Sequence, residues 1–177
     1  MFQKIKKFVQ LSQEEKFLLL EAISFLGLSK MSLSLLPFRV VAYFLGEKIE
    51  ENTPEDKNHI DKQPTSLFES QEDELKTQYS QEIIKITHAI MKSYKRTPWK
   101  SECLVRAIAA QKMLQRRGIG SILHIGVNKV SLSEFQAHAW LESYDMKVTG
   151  YEEAEHSQEL LRFKQSQSKE RFMRSKQ

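Results

Sequence analysis

Apolar positions divide the chain into blocks of different periodicity. In residues 1–46, Phe17, Leu18, Leu19, Leu20, Ala22, Ile23, Phe25 and Leu26 cover most sides of a helix that follows the capping box Ser12-Gln13-Glu14-Glu15. The spacing predicts one helix to about Leu28 and a second from about Ser34 to Gly46, with Pro37 in its first turn. The short link Ser29-Lys30-Met31-Ser32 predicts that the two form an antiparallel hairpin. Residues 47–75 lose that pattern: acidic side chains dominate, Pro54 and Pro64 break helices, and an acidic linker is expected. Tyr79, Ile83, Ile86, Ile90 and Tyr94 then step by four, three, four and four, a helical stripe that ends before Pro98.

The block from 76 to 155 mixes periods. Leu104 to Arg117 places Leu104, Ala107, Ile108 and Leu114 on a buried helical face. Arg116 and Arg117 suit its last turn, Gly118 its termination, and Thr97 or Ser101 its cap. Ser121 to Val127 predicts a core strand. Phe135 to Tyr144 alternates, with Gln136, His138, Trp140 and Glu142 on one side. Lys147 to Tyr151 predicts a third strand or an edge, with Asp145 in the turn before it. Residues 156–177 are polar and mostly basic, and a frayed tail is expected. The fold class predicted is α+β: a helix packed on a small antiparallel sheet, preceded by the helical hairpin.

Composition adds limits. A chain of 177 residues, 40% hydrophobic, fits one domain with a helical appendage. The net charge of +4 is scattered and marks no nucleic-acid module. A single cysteine excludes an intrachain disulfide and fits a reducing, cytoplasmic compartment. Neither apolar run reaches the roughly 18 to 20 clean residues of a membrane span, because Glu21 and Lys30 interrupt them. The N-terminal hairpin would cover the core or a partner, or touch anionic lipid through Lys4, Lys6, Lys7 and Arg39. The six glycines form no phosphate-binding loop, and the five histidines form no metal-ligand pair, so no cofactor or metal is expected.

The candidate chemistry lies at Cys103 and His138. Cys103 opens a helix, where free amides and the dipole favour an anion. A thiolate with an imidazole in reach is the minimum for nucleophilic acyl transfer. By type alone, a lone Cys is more often a small core residue and a strand His structural. His124 is expected to be structural, and His88 to lie at the surface. Trp99 would line a substrate cleft or anchor the core.

The series Pro98-Trp99, Cys103-Leu104, Leu114 to Ile119, His124 to Val127 and Ala137 to Glu142 resembles the transglutaminase-like cysteine proteases of lasso-peptide biosynthesis, the microcin-processing type. Within them it is similar to the stand-alone leader-peptidase subunit of the split B protein. The resemblance implies a papain-like or transglutaminase-like core in which Cys103 attacks, His138 serves as base, and Trp99 and Trp140 flank the cleft. It also implies a precursor peptide as substrate, a leader-recognition protein that delivers it, and an ATP-dependent macrolactam synthetase acting afterwards. Relatives place an acid about a dozen residues after the His. Here no Asp stands there, and Glu152, Glu153 or the earlier Asp145 would substitute. Two other readings share these residues: a catalytically weak peptide-binding scaffold, and acyl transfer to an amine.

Overall fold

The computed structural model describes residues 12–49, 66–100, 102–129, 135–154 and 157–166. In chain order these form α1 (Gln13–Leu35), α2 (Phe38–Tyr43), β1 (Glu47–Ile49), α3 (Ser66–Ser93), α4 (Cys103–Arg116), β2 (Ser121–Lys129), β3 (Phe135–Ser143), β4 (Met146–Thr149), α5 (Tyr151–Ala154) and β5 (Gln158–Gln165). The five strands make one antiparallel sheet in the order β1-β5-β2-β3-β4. The α+β arrangement predicted from the sequence is the one observed.

Helix α4 is the centre of the core. The sheet lies on one side of it, α1 and α3 on another. Val105, Ala107, Ile108, Met113 and Leu114 are all buried, so the helix is covered on more faces than its apolar stripe implies. The α3 stripe is seated as expected, with Ile83, Ile86 and Ile90 in the core and His88 exposed. Gly118 takes φ 70, and Ile119 N–H returns to the Leu114 carbonyl at 3.1 Å, which stops α4 in the left-handed manner its position predicts. Arg117 then ties three helices together. Its guanidinium reaches Glu21 of α1 at 2.8 Å and Glu82 of α3 at 2.6 Å.

Three expectations change. The N-terminal hairpin is instead one 23-residue helix that runs through the expected turn at Ser29–Ser32, followed by only six helical residues. No Gly or Pro interrupts Leu28–Leu36, and Ser29 is buried against the core, so nothing local stops the helix before Pro37. As a single element, α1 has the length and composition of a membrane span, but Leu19, Ala22 and Leu26 pack into this domain. Next, part of the expected linker is structured: β1 pairs with β5, and α3 begins at Ser66 rather than near Thr77. Third, the expected tail contains β5, which lies between β1 and β2 and buries Phe163 and Gln165. Lys4, Lys6, Lys7 and the chain after Ser166 lie outside the described residues.

Candidate active site

Cys103 is the first residue of α4. Its cap is Glu102, in extended conformation, whose side chain makes no cap hydrogen bond; Ser101, the other expected cap, lies outside the described residues. Thr97 is engaged elsewhere, donating to the Tyr94 carbonyl at 2.9 Å, and the expected cap by it is not made. Arg106 N–H returns to the Glu102 carbonyl at 3.1 Å, so the helical ladder starts at once behind the thiol. The positive end of the helix therefore lies at the sulfur, and the Glu102 side chain does not cap it.

His138 comes from β3 and is buried. It shares with Cys103 a cleft of about 320 Å³, whose wall includes Glu102, Arg106, Asn128 and Gln136. The two residues separated by 35 positions thus meet at one opening, because α4 packs across β3. Asn128 and Gln136 are cross-strand partners on β2 and β3, and they add two side-chain amides to the cleft. Sequence inspection does not single them out, since amides at a strand end are ordinary surface residues.

The orientation of the imidazole is set by main chain. His138 Nε2 lies 2.8 Å from the Gly150 carbonyl oxygen. A carbonyl can only accept, so Nε2 carries the proton, and the neutral ring keeps Nδ1 as its proton acceptor. Gly150 has φ 79, and a Cβ there would overlap the Ala139 carbonyl oxygen, so the position requires glycine and a close approach to β3. Gly150 stands 12 residues after His138. Glu152 is exposed on α5. Asp145 sits in the β3–β4 turn at φ 58, its side chain 88% exposed and 3.7 Å from Lys76. The side chain of Glu153 lies outside the described residues.

The tryptophans sit away from the cleft lining. The Trp99 ring packs where Gly27 leaves room on α1, about 3.5 Å from the Cβ an alanine would add, and so anchors the loop before Cys103. Trp140 is buried and stacks on the His138 imidazole, with ring centroids 6.5 Å apart and an 18° angle. Its other neighbour is His124, 5.2 Å away and parallel within 2°. Three rings from two strands therefore brace one another, and Trp140 supports His138 rather than facing substrate.

His124 has its own partners. Nδ1 is 3.0 Å from Glu159 Oε2, and Nε2 lies 3.1 Å from Glu142 Oε1. The second approach is close but off the N–H direction, so it acts as an electrostatic contact more than a directed hydrogen bond. Tyr151 O–H donates to Glu142 at 2.6 Å, and Arg162 to Glu159 at 2.7 Å. The Glu142 carboxyl is held below the usual range chiefly by His124, against the opposing effect of burial, with Tyr151 adding to the lowering. For Glu159 burial pushes upward, but Arg162 and His124 together bring the net shift down. Burial and the Glu142 carboxylate push the Tyr151 phenol up. This cluster fixes β5, β2, β3 and α5 behind the site.

A cysteine at a helix start, a histidine on an adjoining antiparallel sheet and a main-chain acceptor for its ring are the groups that acyl transfer through a thiol requires. The family model of the transglutaminase-like superfamily matches residues 62–163, and the chain belongs to that superfamily. The match reaches into β5, beyond the catalytic block expected to end at 155. Family and cleft together indicate activity of the cysteine protease or acyltransferase type. No curated protein and no solved structure matches the chain.

Proposed function

We propose that the protein is a cysteine endopeptidase that removes the leader from a ribosomally made precursor peptide, as in lasso-peptide maturation. The observation that carries the reading is the shared cleft of Cys103 and His138, with the His138 ring fixed by Gly150. His138 Nδ1 takes the thiol proton, and the sulfur adds to the scissile carbonyl. The oxyanion forms beside the first-turn amides of α4, with Gln136 and Asn128 as further donors on the cleft. The imidazolium returns the proton to the leaving amine, and water releases the acyl group from Cys103 by the reverse sequence. No step draws on a metal or cofactor.

The leader is brought by a small recognition protein, the ring is closed afterwards by an ATP-dependent synthetase, and the reaction takes place in the cytoplasm. These assignments rest on the resemblance of the motif series around Cys103, Gly118 and His138-Ala139-Trp140. The test is incubation of the full chain, with and without a leader-recognition protein, with lasso-type precursor peptides that carry a leader, read by mass spectrometry. Leader and core fragments are expected with the native protein and none with Cys103→Ala. Trimming by Cys103→Ala contradicts the reading. A product joined to an amine instead of water supports the acyltransferase alternative.

A further inference from the structure

Arg106 lies one turn beyond Cys103, at the spacing that puts both residues on one side of α4. It lines the Cys103–His138 cleft and also an adjoining groove of about 150 Å³ that includes Gly150, Tyr151, Lys147 and the exposed Glu152. Its guanidinium rests on the Tyr94 ring, 4.8 Å from the centroid, a contact that orients the plane and uses no N–H donor. Nε is closed off from solvent without an acceptor. Arg116, Arg117 and Arg162 each face a carboxylate, whereas Arg106 has none among the described residues. Glu102, on the same cleft, is 68% exposed at its side chain and directed to Lys30 at 3.7 Å.

A positioned, planar cation at the junction of two grooves, one of them holding the nucleophile, is suited to bidentate capture of a carboxylate. We infer that Arg106 is a specificity-determining residue: it holds an acidic side chain of the peptide beside the bond that Cys103 attacks. The inference builds on the peptidase reading, but its binding step is measurable without turnover.

The test uses the full chain carrying Cys103→Ala, titrated with N-acetylated, C-amidated hexapeptides in which Glu, or Gln as its neutral counterpart, occupies each position in turn. Glu is expected to bind about tenfold more tightly than Gln at one or two positions, the advantage of a charge-assisted fork. Adding Arg106→Gln is expected to erase that ratio, and Arg106→Lys, which keeps the charge but loses the fork, to leave part of it. Thermal melts report whether each variant folds; if Arg106→Gln does not, the Lys variant carries the comparison. A parallel series with free C-termini separates a side-chain carboxylate from a terminal one. Equal or absent binding of Glu and Gln peptides overturns the inference. So does a Glu preference that survives the Arg106 change, or an Arg106 effect confined to free C-termini. Turnover by the native chain is read separately: no cleavage alongside an Arg106-dependent Glu preference rejects the peptidase reading and leaves the carboxylate site standing.

Discussion

The imidazole of His138 donates through Nε2 to the carbonyl oxygen of Gly150, 2.8 Å away, so a main-chain atom 12 residues further along the chain helps to orient the ring. A carbonyl fixes tautomer and ring direction but brings no full negative charge to steady the imidazolium. This contact depends on backbone placement, and that placement depends on a glycine at φ 79.

Gly150→Ala is expected to damage both fold and site. The added methyl meets the Ala139 carbonyl, and the left-handed conformation disfavours any side chain. A loss of about 2 kcal/mol or more follows from the strain, with activity falling further than stability because the His138 acceptor moves. Chemical denaturation and peptide turnover check the two effects; an alanine variant of normal stability and activity contradicts the assignment.

Glu152→Gln and Asp145→Asn are expected to change turnover by less than about threefold, since both carboxylates are exposed and solvent screens their effect on the ring. A loss of about a hundredfold or more in either variant, the scale of a triad member, would transfer the orienting role from Gly150 to that residue.

Stability is expected to fall in acid through the cluster around His124. The carboxyls of Glu142 and Glu159 are held below their ordinary value of 4.5 in the folded state. A depressed folded value means the contribution is present above the unfolded value and lost as pH drops through and below it. Urea unfolding from about pH 7 to about pH 3, the range in which carboxylates titrate, is expected to show a shallower loss for Glu142→Gln than for the native chain. Parallel curves contradict this.

Arg117→Met is expected to cost about 2 kcal/mol or more, because it leaves the half-buried carboxylates of Glu21 and Glu82 without their shared cation. Arg116 also reaches Glu21, at 3.2 Å, and limits the damage. The midpoint of urea unfolding measures it; an unchanged midpoint would show that the tie between α1, α3 and α4 contributes nothing net.

Much of the catalytic half is legible in the sequence because local signals agree there. The stripe from Tyr79 to Tyr94, the stop at Gly118 and the alternation from Phe135 each point to the element that forms. Cys103 and His138 are identifiable by type and order, and the structure brings them to one cleft. The orienting atom is not legible, since a backbone carbonyl has no side-chain signature; Gly150 alone hints at it, through its position 12 residues after the His. Strand β5 escapes because Glu159 and Arg162 look like solvated tail charges, and only their contacts with each other and His124 explain them. Helix α1 is misjudged for the opposite reason: a polar-looking Ser29–Ser32 suggests a loop, yet Ser29 faces inward and Phe17, Met31 and Leu35 face out, 70%, 53% and 73% exposed. These three lie on one side of α1. Phe17→Ser with Leu35→Ser is expected to shift Tm by less than about 3 °C in thermal melts, as exposed positions contribute little to the core.

The most direct measurement is the rate at which iodoacetamide alkylates Cys103 in the folded chain at pH 7, compared with the same rate in His138→Ala, followed by intact mass. With one cysteine the signal is unambiguous. A base in reach of the sulfur predicts that His138→Ala slows alkylation by about tenfold or more. Equal rates in two equally folded proteins would mean that the imidazole does not act on the thiol.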